Sequence, residues 1–240
     1  DVISLEDLKA DLKAVQEENA KASEGDGGIS AQSDGLSAQS ADSATPLTDH
    51  NEMAKILSEG LKNHRTQVTY TVFEPDTSIF PGGQISGEWM KEHVYGILDI
   101  AEEHTGVPDE GDYLRWQYGG YQPSVIGGGD STGYTITVTF TFDWYASAAD
   151  EAAEEEAAVD AKVASIISEL NLSDDASSYE KVQAVYDYLC ENVTYDQDNL
   201  NDAEYTRKFS AYGALCDGKS VCQGYAVAFY RLALELGVDN

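Results

Sequence analysis

The sequence predicts an α+β fold, and three observations carry that expectation. The first is a long run of strict alternation from Tyr134 to Trp144. Tyr134, Ile136, Val138, Phe140, Phe142 and Trp144 fall on one side of it, and Thr135, Thr137, Thr139 and Thr141 on the other. Such a pattern belongs to a sheet covered on one face and wet on the other. The second is the order helix, strand, helix, strand, strand between Asp49 and Tyr145, which sets two helices on an antiparallel sheet. The third is the recurrence of helical periodicity from about residue 146 onward. The expected domains are an N-terminal helix at 1–22, a flexible linker at 23–48, a helix-on-sheet domain at 49–145 and a largely helical part at 146–240.

Residues Ile3 to Ala22 read as a helix, with Ser4 and Asp7 as a capping box and Ile3 against Leu8 as its staple. Leu5, Leu8, Leu12 and Val15 form a seam too short for an independent coiled coil. The linker, Ser23 to Thr48, is acidic and rich in Ser, Gly, Ala and Gln, without the apolar surface to offset ordering. Asp49 and Glu52 cap the next helix, whose stripe is Met53, Ile56, Leu57 and Leu61. A strand follows from Gln67 to Phe73, then a break at Pro81-Gly82-Gly83. The helix after it is expected from Gly87 to Thr105, ended by Gly106 and Pro108. His93 and His104, eleven apart on that helix, share no ligand spacing, and no metal site is expected.

Strands are expected from Tyr113 to Val125 and from Tyr134 to Trp144, joined by a turn at Gly127-Gly128-Gly129-Asp130. That glycine run joins two strands and carries no lysine, so it is not a phosphate loop, and no cofactor is expected. Ser147 and Asp150 open a long helix with Val159, Val163, Ile166, Ile167 and Leu170 inward. Ser177 and Glu180 cap the following one, with Val182, Val185, Tyr186, Leu189 and Val193 toward the core. A short helical turn at Ser210–Leu215 precedes the last helix, in which Ala226, Phe229, Tyr230, Ala233 and Leu234 form an apolar face and Gly237 is the stop. Cys222 opens that helix, where unpaired N–H groups and the macrodipole favour a thiolate.

Charge narrows the partners. The chain has 44 acidic against 14 basic residues, a net charge of -30. That disfavours nucleic acid and anionic membrane surfaces, whose binding is driven by cationic side chains. No apolar run is long enough for membrane insertion. Three cysteines make no disulfide framework, and Cys190 and Cys216 are left either paired or simply buried.

The uninterrupted run Gly218-Lys219-Ser220-Val221-Cys222-Gln223-Gly224-Tyr225-Ala226 resembles the cysteine motif of the transglutaminase-like superfamily. Tyr179-Glu180-Lys181-Val182 and the run from Tyr186 to Asp196 are similar to the helix and exit loop that precede it there. The likeness extends from about Ala161 to the end. It implies the helical first half of a papain-like core, with Cys222 as nucleophile toward a carboxamide or peptide carbonyl. The N–H of Cys222 would be an oxyanion donor, with Gln223, Gly224 and Tyr225 as near-site candidates, no cofactor, and protein or peptide substrates. The acyl group would pass to water or to an amine. In the superfamily the base and its orienting aspartate lie downstream, whereas His50, His64, His93 and His104 all precede Cys222 and the sequence stops at Asn240. The 240 residues are therefore expected to be inactive until such a histidine and aspartate are supplied. The linker, the start at Asp1 and the likeness together imply a bacterial protein outside the cell, associated with a wall or surface. The alternative is a non-catalytic binding or structural module on the same scaffold.

Overall fold

The computed structural model describes residues 45–80, 84–146, 148 and 151–238. The expected N-terminal helix, most of the expected linker, and Ser147 and Asp150 lie outside them. Helix α1, His50–Lys62, begins where Asp49 accepts hydrogen bonds from the N–H groups of Asn51 (2.8 Å) and Glu52 (3.2 Å). Two donors that the helix cannot satisfy itself are thereby paired. Met53, Leu57 and Leu61 are fully buried. Strand β1, Gln67–Glu74, follows. Leu47, at the end of the stretch read as linker, donates to the Thr71 carbonyl (2.7 Å) and accepts from the Phe73 N–H (3.1 Å). It therefore covers part of an edge that would otherwise be an open template.

Helix α2 runs through three segments, Gly87–Met90, a π-helical Lys91–Tyr95, and Gly96–Ala101. It ends before the expected Thr105, so His104 lies beyond the helix. The strand expected to start at Tyr113 starts later. Asp112–Arg115 is a helical turn, α3, and strand β2 is Tyr118–Asp130. Tyr113 and Leu114 are both fully buried. Consecutive strand residues face opposite sides of a sheet, so a sheet with one wet face cannot bury both, whereas a helical turn can.

Strand β3, Gly133–Trp144, is central in an antiparallel sheet of order β1-β3-β2. Val68 faces Phe140, Val72 faces Ile136, and Val125 faces Val138. The alternation is as expected, with Ile136, Val138, Phe140, Phe142 and Trp144 buried. The turn is not. Gly127, Gly128 and Gly129 are inside β2, paired with Ile136, Thr135 and Tyr134. The chain reverses at Ser131-Thr132, where the Asp130 carboxylate accepts from the Thr132 N–H (2.7 Å) and hydroxyl (2.6 Å). An aspartate that mimics a backbone turn fixes the reversal there, and the glycines extend the ladder instead.

Helix α4, Ala152–Leu170, buries Val159, Val163 and Ile166. Helix α5, Ser178–Asn192, carries the expected capping box between Ser177 and Glu180. Its inward tyrosine is Tyr188. Tyr186, expected inside, is 58% exposed and its hydroxyl meets Cys190 on the outer face. A two-residue strand, β4 (Thr194–Tyr195), pairs in parallel with β5 (Lys219–Ser220). Between them lies helix α6, Ala211–Leu215, capped by Ser210. Helix α7, Cys222–Glu235, ends in a Schellman motif, with Gly237 at φ 68°, its N–H on the Leu234 carbonyl (2.8 Å) and the Val238 N–H on that of Ala233 (2.9 Å).

The face of α7 differs from the expected one. Gly224, Val227, Ala228, Arg231 and Leu232 are buried with Ala233 and Leu234, while Ala226 is exposed. Arg231 tolerates burial because its guanidinium pairs with Asp160 (2.9 Å) and Glu235 (2.6 Å). The described residues belong to one unit, and the core runs unbroken from Met53 to Leu232. Each large apolar side chain removed from water there contributes about 1.5–3 kcal/mol before entropy is counted. No helix among the described residues is long and apolar enough to cross a membrane.

Candidate functional site

The turn before Cys222 is clamped to the exit of α5. The Thr194 N–H donates to the Gly218 carbonyl and the Asp196 N–H to that of Ser220, both at 2.8 Å. Asp196 is fully buried. Burial alone would push its carboxyl up, but the Asn199 side chain and backbone N–H and the Lys219 ammonium together hold it below the usual range. Lys219 bridges Asp196 (3.3 Å) and Asp198 (2.6 Å). The lysine of the motif thus closes the loop that presents the thiol.

Behind the turn lies a polar floor. The Ser220 hydroxyl donates to the Lys208 carbonyl (2.6 Å), as does the Val221 N–H (3.2 Å). Lys208 is itself buried, and its ammonium donates to the carbonyls of Asn199 (2.7 Å), Leu200 (3.3 Å) and Asp202 (2.5 Å). A buried cation without such partners would be costly; three carbonyls make it a staple. Gly224 packs on this floor. A Cβ there would meet the Ser220 hydroxyl at 1.9 Å, the Lys208 carbonyl oxygen at 2.8 Å and that of Ser210 at 2.9 Å. Close approach of backbone is therefore what glycine supplies at this position.

Cys222 emerges from this arrangement as the first residue of α7, exposed to solvent. Its N-cap, Val221, makes no side-chain hydrogen bond, in contrast to Asp49, Ser177 and Ser210, which cap α1, α5 and α6. No capping side-chain oxygen therefore covers the positive end of the macrodipole beside the thiol. That geometry suits a nucleophile and a developing oxyanion.

The near-site candidates divide by role. Gln223 is half-buried, and its side chain shares a hydrogen bond with the Tyr145 hydroxyl from the end of the sheet region. Gly224 faces the core. Tyr225 donates to the Val193 carbonyl and stacks on Tyr195, with ring centroids 6.4 Å apart. It ties α7 to the exit of α5 and leaves an aromatic pair a helical turn beyond the cysteine. Sequence reasoning missed Ser220, Lys208 and Tyr145 as supports. Ser220 lies inside the motif, but nothing in the pattern marks Lys208 or Tyr145.

The three cysteines are free. Cys190 is exposed, and the half-buried Cys216 thiol is pushed up to about 11 by burial and by the adjacent Asp217. Each histidine is engaged elsewhere. His104 meets Asp112 (3.1 Å) and the Tyr230 hydroxyl (3.0 Å), a histidine–aspartate pair in form. Tyr230, however, is eight residues beyond Cys222 on α7, about 12 Å along the axis. His64 is buried against Trp144 and lies 3.7 Å from Glu156. Burial lowers His64 to about 4 and raises Glu156 to about 7. Between those values both are neutral, so their contact is not an ion pair. His93 stacks on Trp89, edge-on to His50.

Residues 165–239 match the family described as the transglutaminase-like superfamily. The match contains α5, the β4–β5 clamp and α7, the same elements that build the cysteine turn. No curated protein matches the sequence.

Proposed function

We propose that the transglutaminase-like segment is a cysteine acyl-transfer centre with Cys222 as its nucleophile. The observation that carries the reading is an exposed thiol at an uncapped helix start, held there by the Asp196–Lys219 clamp and the Ser220–Lys208 floor. In the proposed reaction the thiolate attacks a carboxamide or peptide carbonyl of a protein substrate. The first-turn N–H groups receive the oxyanion, ammonia or an amine leaves, and water or a second amine releases the acyl group. A histidine base is needed, and the four in this sequence are engaged away from Cys222. The proposal therefore assigns the base and its aspartate to residues beyond these 240.

Release of ammonia from a glutamine-containing protein, or cleavage of it, tests the reading. The 240-residue chain is expected to turn over negligibly. Addition of a downstream histidine and aspartate is expected to switch activity on, and Cys222→Ala to abolish it. Full activity after Cys222→Ala would sink the assignment.

A second reading, a binding module on the same scaffold, is supported by the engagement of all four histidines with other groups, His104 with Asp112 and Tyr230, His64 with Trp144, and His50 and His93 with each other. It predicts tight protein binding unaffected by Cys222→Ala. We also propose an extracellular, surface-associated location in a bacterium, supported by the acidic Ser/Gly-rich stretch at 23–48 and the family likeness. Recovery of the native protein in the cytosolic fraction alone would rule that out.

A further inference from the structure

We propose that His50, Glu92 and His93 form a site for a divalent transition metal of the zinc class, clipping the start of α1 to the π-helical turn of α2. The two histidines come from different helices, so sequence spacing gives no hint of the pairing. Among the described residues these three side chains are the group whose ligand atoms gather, all within 4.8 Å of one another. Two imidazoles and a carboxylate suit Zn2+ and its neighbours better than Mg2+ or Ca2+, which take oxygen ligands. Three protein ligands with solvent in the fourth position are a common tetrahedral zinc arrangement.

The surroundings are those of a positioned ligand rather than a loose surface histidine. The His93 ring lies flat on Trp89, with centroids 4.6 Å apart and planes 2° from parallel, and Trp89 is buried. The His93 carbonyl is held by the Tyr70 hydroxyl at 2.6 Å. Its Nδ1 is buried without a hydrogen-bond partner among the described residues, the kind of orphaned polar atom that a bound ion can satisfy. Glu92 and His93 both lie in Lys91–Tyr95. Single π turns inside α-helices recur at functional sites, because the widened turn re-aims side chains. The chain's charge of -30 raises the local concentration of any cation.

Calorimetric titration of the purified chain with Zn2+, in excess Mg2+ to occupy ordinary surface carboxylates, tests the site. One Zn2+ per chain is expected, with a rise in the thermal unfolding midpoint. His50→Ala and Glu92→Gln sit at half-buried and exposed positions and keep the fold. Each is expected to weaken Zn2+ by ~10-fold or more and to remove the midpoint shift. No stoichiometric binding would overturn the proposal. So would binding that survives both variants, since the metal would then sit elsewhere, for instance on the exposed thiols.

Discussion

At the scale of single residues, Gly224 and Glu102 show how local contacts set what the chain tolerates. Gly224→Ala would drive a methyl group into a serine hydroxyl and two backbone carbonyls. The hydroxyl can rotate away, but the carbonyls belong to the floor under Cys222. The variant is expected to lose about 1–3 kcal/mol of stability and to slow Cys222 alkylation, both readable by denaturant titration and mass spectrometry. Glu102 is buried at the end of α2, accepting from the Tyr118 hydroxyl, with Arg115 at 3.4 Å. Burial raises its carboxyl from an ordinary 4.5 to about 7, against the pull of Tyr118 and Arg115. The folded state therefore holds the proton more tightly than the unfolded one. Its contribution is fully present below about pH 4.5 and is lost as pH rises through 7. Glu156 acts with the same sign, and His64, lowered to about 4, with the opposite one. Glu102→Gln should remove its own part of the slope, roughly 3 kcal/mol at most. An unchanged difference between the two proteins from pH 4.5 to 7 would show that Glu102 does not titrate there.

At the scale of elements, α7 presents the thiol at one end and is anchored by Arg231 nearer the other. Arg231→Ala is expected to cost about 2–4 kcal/mol, below the loss for a fully buried pair because Asp160 is half exposed. Arg231→Met should recover part of it, since the stem also packs. Equal losses in the two variants would assign the whole effect to charge. The face of α7 is rotated from the expected one toward Gly224, Val227, Ala228, Arg231 and Leu232, because an apolar pattern gives no weight to a glycine or a paired arginine and favours Phe229 and Tyr230, which are only half-buried. The strongly periodic β3, the Ser177 capping box and the glycine stop at Gly237 were legible, because each rests on contacts within a few residues. The position of the β2–β3 turn was not, since Asp130 outcompeted a glycine run that looked more permissive. Nor was the helical turn at Tyr113, whose burial depends on α4 through its hydroxyl and Glu156 at 2.9 Å.

At the scale of the whole chain, the cysteine turn is held by groups far apart in sequence. Tyr145 reaches Gln223 from the sheet region, and Tyr230 on α7 binds Asp112 at 2.8 Å. The motif itself could be read from the sequence, as local chemistry around one residue. Its supports could not, because long-range packing leaves no periodic trace. The central claim is that this packing presents Cys222, and neither of the other thiols, as the nucleophile. Residue-resolved alkylation of the intact 240-residue chain with iodoacetamide near pH 7 measures that directly. The account predicts that Cys222 reacts first, Cys190 after it, and Cys216 last, since burial and Asp217 hold its thiol protonated. Cys222 reacting more slowly than Cys190 in the folded protein would contradict it.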